Sequence, residues 1–283
     1  MGALRDRMEQ DMILRGLTEN TRRSYLDAVK GLARYYHRPP DQLTEAEVRA
    51  YLLHLIRERK LAVSSCRLRA HGLRFFYRVT LQRAWDPTQI PVPKAERKRP
   101  AILSREEVAR LFEVTANRKH RALLMTTYAA GLRVSEVVRL RVCNLDSQRM
   151  LIRVEGGKGR KDRDTILSPG LLAELRGYWQ QYRPPLWLFP NRYDPQRPLD
   201  RNSAYRVYCD AKERAGIAKT GGIHALRHAF ATHLLEAGID VLSIRELLGH
   251  ENLKTTANYL HLAHGGMART HSALDLLQPP PMT

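Results

Sequence analysis

Residues 221–262 read GGIHALRHAFATHLLEAGIDVLSIRELLGHENLKTTANYLHL and gather His224, Arg227, His250 and Tyr259. His224 and Arg227 are spaced i, i+3 on a predicted helix, so both side chains leave one face and can grip a single anionic group. His250 follows Leu247-Leu248-Gly249, where glycine ends a helix, which puts the imidazole at a helix end instead of inside a core. Tyr259 follows a Thr-Thr pair that opens a further helix, and it stands between polar Asn258 and His261. Together these residues point to phosphoryl transfer with Tyr259 as nucleophile. Taken singly, each has a plainer reading: a lone tyrosine is more often a packing residue, and His224 with His228 at i, i+4 is more often structural. Zinc is a weak reading, because the metalloprotease helix needs a glutamate directly after its first histidine and Ala225 stands there.

Charge bounds the partner. Forty-eight Lys and Arg against twenty-nine Asp and Glu leave +19 over 283 residues, with a pI near 10.3, which marks a polyanion as the expected partner. The excess is +10 in residues 1–99 and +9 in the remainder, so both halves are expected to touch phosphate. Cys66, Cys143 and Cys209 are odd in number, far apart and without a C-x-x-C pair. They indicate neither a disulfide framework nor a zinc knuckle, and they fit a reducing cytoplasm. No apolar run approaches a membrane span and the amino terminus has no signal-peptide core, so no membrane partner is expected.

Toward the amino terminus, Tyr25, Val29, Leu32 and Tyr36 recur at helical spacing until Arg38-Pro39-Pro40-Asp41. Thr44 and Glu47 form a capping box opening a second helix with an apolar stripe of Val48, Tyr51, Leu52, Leu55 and Ile56. A third, from about Ser65, carries Leu68, Phe75, Phe76 and Val79 on its core side and leaves Arg67, Arg69, Arg74 and Arg78 for other faces, where guanidinium groups suit phosphates. Residues 86–100, DPTQIPVPKAERKRP, hold four prolines and no apolar period, which reads as an extended linker whose Lys94, Arg97, Lys98 and Arg99 can lie along a DNA backbone. The expected division is a helical domain over 1–85, a basic linker over 86–102 and a second domain over 103–283.

That second domain opens with a capping box from Ser104 to Glu107 and an apolar helix over 120–130 stopped at Gly131. Arg133 then stands at a turn with Glu136 one helical turn on, where it can orient the guanidinium. An arginine so positioned offers two parallel donors to two phosphate oxygens. Met150–Val154 and Thr165–Leu167 read as the strands of a hairpin. Lys158, in the intervening GGKGRKDR, is free to move and able to reach a leaving oxygen as proton donor. Helices are expected over 169–182 and 202–215. The fold class expected is mainly α with a small β-sheet or hairpin.

Arg133 in GLRVSE, Lys158 in GKGRKDR, His224 and Arg227 in HALRHAFATHLL, His250 in LLGH and Tyr259 in TTANYLH resemble the tyrosine recombinase (phage integrase) family. Residues 1–85 resemble that family's helical, SAM-like core-binding domain, and residues 103–283 its mixed α/β catalytic domain. The resemblance implies a site-specific DNA recombinase or integrase in which Tyr259 forms a 3′-phosphotyrosyl link and frees a 5′-hydroxyl. It implies Arg133 and Arg227 on the non-bridging oxygens, His224 and His250 in hydrogen bonding and proton handling, Lys158 as the acid for the 5′-oxygen and Glu136 as acidic helper. No metal and no cofactor is expected. The implied partner is duplex DNA bearing paired sites, held by a homotetramer of protomers that are monomers when free; an apolar segment over 267–277 either links neighbours or folds back on its own domain as core, two readings of equal weight. Without an arm-binding domain before Met8 or an integron-type insertion over 168–222, the layout expected is the compact Xer-like or transposon-borne one. The alternative function is relaxation of DNA without strand exchange, as by a type IB topoisomerase.

Overall fold

The capping boxes read from the sequence start two of the helices. Thr44 Oγ1 accepts from the Glu47 amide while the Glu47 carboxylate accepts from the Thr44 amide, and Ser104 and Glu107 repeat the arrangement. Each exchange satisfies donors that a helix start otherwise leaves bare. The computed structural model describes residues 2–83, 92, 101–156, 162–257 and 259, and the chain falls into two units, residues 1–98 and 99–283.

In the first unit α1 (Gly2–Leu14), α2 (Glu19–Tyr36), α3 (Glu45–Arg57) and α4 (Val63–Phe75) enclose one core, and α4 runs on into a π turn, Phe76–Thr80. The sequence reading missed α1, because its inward stripe is only Leu4, Met8 and Met12 among charged residues. Met8 and Met12 are nonetheless fully buried, each worth roughly 1.5–3 kcal/mol.

Two expected core positions are corrected. Ile56 is 43% exposed, since it lies at the trailing edge of the stripe formed by Val48, Tyr51, Leu52 and Leu55. Leu68 is 42% exposed, because the inward face of α4 is Cys66, Ala70 and Leu73, with Leu68 nearly opposite Cys66. Small residues mark that face because α2 comes so close: a Cβ on Gly72 would lie 3.0 Å from the Tyr25 Cα. Among the named arginines, Arg67, Arg69 and Arg74 are half-buried along α4, and Arg69 is hydrogen-bonded to the Tyr51 hydroxyl. Lys94, Arg97, Lys98 and Arg99 lie outside the described residues.

The second unit holds α5 (Arg105–Glu113), α6 (Arg118–Ala129), the short α7 (Val134–Val137), and strands β1 (Leu145–Asp146), β2 (Leu151–Val154) and β3 (Arg163–Ile166). Helices α8 (Pro169–Tyr182), α9 (Arg201–Arg214), α10 (His224–Glu236), α11 (Val241–Leu248) and α12 (Leu253–Ala257) follow. The predicted hairpin is the antiparallel pair β2–β3, with Val154 opposite Arg163 and Ile152 opposite Thr165. The two-residue β1, too short to show a period, adds a third strand beside β2. Helix α12 begins before the Thr255-Thr256 pair instead of after it.

Helix α10 runs through the interior. Ala225, Leu226, Arg227, Ala229, Phe230, Ala231, Thr232 and His233 are all buried, which is how a helix apolar on most sides settles. His233 is structural: Nε2 donates to the Leu103 carbonyl at 3.0 Å, which leaves Nδ1 to accept from the Tyr128 hydroxyl at 2.8 Å. Among the described residues no helix is long and apolar enough to cross a membrane.

Candidate active site

The site is built from the end of α6. Gly131 stands at φ +60, and a Cβ there would meet the Phe230 ring at 2.5 Å, so only glycine lets the chain turn this closely over α10. The turn delivers Arg133 to the start of α7. Glu136, three residues on, bends back to accept from the Arg133 amide at 2.8 Å and from its Nη1 at 2.7 Å. The Arg133–Glu136 contact that the i, i+3 spacing predicts is therefore present.

Glu136 is shared further. Arg163, first residue of β3, donates Nη1 to Oε1 at 2.9 Å and Nη2 to Oε2 at 2.8 Å, and Arg227 Nη1 lies 3.6 Å from Oε2. With its carboxylate 5% exposed, Glu136 faces three guanidinium groups. Burial pushes its pKa up, but the hydrogen bonds and charge of Arg163, then those of Arg133, outweigh burial and hold it down at about 2. One negative charge inside three positive ones leaves a local surplus of cation.

Arg227 is held by carbonyls. Its Nη1 donates to Gly131 at 2.6 Å, and its Nη2 donates to Leu248 at 2.7 Å and to His250 Nε2 at 3.1 Å. Burial, then Arg133, brings its pKa down to about 9, so the group remains cationic at pH 7. His250 follows Gly249, the left-handed cap of α11 at φ +61, which places it at the helix end as expected. Burial, then Arg227 and Arg133, pushes its pKa down to about 4. His224 opens α10 with its edge toward solvent, yet the protein packed behind it, then Arg227 and Arg133, hold its pKa below the ordinary value.

Tyr259 combines the two readings weighed from the sequence. Its ring is packed with Phe230, Ile244 and Leu248 and is 5% exposed, while its hydroxyl lies 2.9 Å from His228 Nδ1. The His250 ring lies parallel to it, centroids 6.3 Å apart and planes within 8°. Burial raises the phenol pKa, opposed by the charges of Arg227 and Arg133.

Arg133, Glu136, His224, Arg227, His250 and Tyr259 thus converge, whereas Lys158 lies outside the described residues. Sequence reading missed three participants: Arg163, Thr256, whose Oγ1 is 2.8 Å from His250 Nδ1, and the link from His228 to the tyrosine. Arg163 had a signal. It lies two residues before Thr165, which is fully buried, so strand alternation turns both side chains inward. Among the described residues no group of three or more His, Cys, Asp or Glu side chains is placed to hold a metal.

Residues 101–265 match the model of the Phage integrase family, and residues 4–87 that of the Phage integrase N-terminal SAM-like domain. Over its whole length the chain is 45% identical to a Sinorhizobium fredii protein named as an integrase/recombinase, y4qK, covering 92% of it. It is 36% identical to the tyrosine recombinase XerA of Thermococcus kodakarensis, across 96% of this chain and 95% of that one. The crystal structure of a lambda integrase tetramer bound to a Holliday junction superposes with a TM-score of 0.74 at 19% identity, over 91% of this chain and 76% of that one, which shows a common fold. The chain therefore belongs to the phage integrase family and is a tyrosine recombinase, an enzyme of site-specific recombination that cleaves and rejoins DNA strands.

Proposed function

We propose that Tyr259 is the nucleophile of this recombinase, attacking a scissile phosphate in duplex DNA to form a 3′-phosphotyrosyl link and release a 5′-hydroxyl. The link stores the energy of the phosphodiester until a partner strand's hydroxyl reclaims it, so no high-energy cofactor is consumed. What carries the reading is the surplus of positive charge beside Tyr259. Three guanidinium groups surround one carboxylate, leaving about two positive charges for a phosphodiester that gains a second negative charge as it is attacked. Arg133 and Arg227 take the non-bridging oxygens, with Glu136 as the anion that orients both. His224 adds a hydrogen bond to the phosphate, His250 holds Arg227 through Nε2, and Lys158 protonates the departing 5′-oxygen.

Arg67, Arg69 and Arg74, with the linker's Lys94, Arg97, Lys98 and Arg99, are assigned to the DNA backbone. Residues 1–85 are assigned as the core-binding domain, 86–102 as the linker and 103–283 as the catalytic domain. Four protomers, monomers when free, act in the cytoplasm around two paired sites, since exchange of two duplexes requires four cleavages. The topoisomerase alternative has no observation in its favour.

The experiment is Tyr259→Phe on a nicked suicide duplex. The variant is expected to bind and to form no covalent adduct on a denaturing gel. Adduct at the wild-type level would return the assignment to another of the twelve tyrosines.

A further inference from the structure

Two histidines lie against Tyr259, and their nitrogens are committed differently. A guanidinium can only donate, so His250 Nε2 accepts from Arg227, and Nδ1 carries the proton and donates to Thr256 Oγ1. Both nitrogens of His250 are thus occupied. His228, one turn along α10 from His224, instead directs Nδ1 to the Tyr259 hydroxyl at 2.9 Å. Burial keeps that phenol protonated at pH 7, so the hydroxyl donates and Nδ1 accepts.

The charged and titratable groups facing His228 are His224 and Arg227 on its own helix, His250 on the segment after α11, and Tyr259 beyond α12. Burial first, then His224 and Arg227, holds His228 below the ordinary histidine range, and so neutral and able to accept a proton.

We propose that His228 is the general base of strand cleavage, taking the phenolic proton of Tyr259 through Nδ1 as the oxygen attacks phosphorus. The proposal rests on Tyr259 being the nucleophile. In the step, the Oη–H bond breaks and its proton passes to Nδ1, giving an imidazolium. Oη bonds to phosphorus, the bond from phosphorus to the 5′-oxygen breaks, and that oxygen takes a proton from the general acid, assigned above to Lys158. Rejoining runs the same transfers backward. An imidazolium beside Arg227 is unfavourable in the free protein. A bound phosphate, growing more negative as it is attacked, offsets that cation and favours protonated His228, so the base gains strength where and when it is needed.

His228→Asn tests this, because the amide oxygen keeps an acceptor near the position of Nδ1 but cannot take the proton at neutral pH. In single-turnover adduct formation with a suicide duplex, the variant is expected to bind DNA like the wild type and to cleave roughly 10²-fold more slowly. Its residual rate should climb steadily with pH, where the wild type levels off. Replacing Tyr259 by a fluorinated tyrosine of more acidic phenol should recover much of the loss in the variant and change the wild type little. A variant with the wild-type rate and pH profile would refute the proposal, as would a loss equal at every pH and untouched by the more acidic phenol.

Should His228→Asn melt far below the wild type, the wild-type fold carrying fluorinated tyrosine decides. An acid limb that stays in place supports His228 as the titrating group, and one that shifts with the phenol excludes it. Tyr259→Phe separates the two levels: adduct from that variant removes the nucleophile and this proposal together, while adduct lost there but unaffected in His228→Asn removes this proposal alone.

Discussion

Arg163 and Glu136 meet in a two-pronged pair, Nη1 on Oε1 at 2.9 Å and Nη2 on Oε2 at 2.8 Å, while the Arg163 Nε donates to the Leu247 carbonyl at 2.9 Å. One side chain at the head of β3 thus ties the end of α11, two residues before Gly249, to the carboxylate that orients Arg133. This parallel-fork geometry is the stronger kind of ion pair, and Arg163 is itself 10% exposed.

Glu136→Gln is expected to destabilise the second unit by roughly 3–5 kcal/mol, because it leaves buried guanidinium groups facing a neutral amide. Urea unfolding followed by circular dichroism measures this. A midpoint indistinguishable from the wild type would show that the cluster stands without its anion.

Acid should unfold the protein partly through the same carboxylate. Glu136 is held at about 2 against an ordinary 4.5, so its folded pKa is depressed. Its contribution is complete above about pH 4.5 and is lost as pH falls toward 2, amounting to roughly 3 kcal/mol. Stability measured from pH 6 downward should show this loss, and Glu136→Gln should flatten the slope in that window.

Gly249→Ala is expected to cost roughly 1–3 kcal/mol and to slow cleavage. The residue sits at φ +61, strained for any side chain, and a Cβ would meet Arg163 Cδ at 2.7 Å. Thermal melting and adduct formation report the two effects separately. An alanine variant equal to the wild type in both would show that the cap of α11 and Arg163 move freely.

Chelation should leave cleavage intact, because guanidinium groups and Lys158 supply the charge and donors that a metal would otherwise provide. The measurement is adduct formation with and without EDTA. Cleavage abolished by EDTA and restored by added divalent metal, with binding unchanged, would contradict the mechanism proposed.

DNA affinity should fall steeply with salt, at a log-log slope of about −0.9 per phosphate contact neutralised. A protein beginning near Lys98 should lose much of that slope. A salt response equal to that of the full-length chain would remove Arg67, Arg69 and Arg74 from the interface.

The sequence by itself determined the features set by local chemistry. Two helix starts are legible because Thr44-Glu47 and Ser104-Glu107 bond within four residues. The Arg133–Glu136 pair is legible because i, i+3 side chains share a face, and the place of His250 because glycine ends α11. Six residues in five short motifs also carried the family.

Tertiary structure alone decided how those pieces meet. No spacing relates Glu136 to Arg163, 27 positions away, or His228 to Tyr259, 31 positions away; tertiary packing, with β3 and α12 both set against α11, brings them together. The direction of Leu68 was likewise set by packing, because α2 approaches α4 where Ala70 and Gly72 are small, and apolar size misled where closeness governed. Burial, which depends on every element around a group, then set the acidities of His228, His250 and Tyr259, whereas Arg163 and Arg133 hold Glu136 low against it.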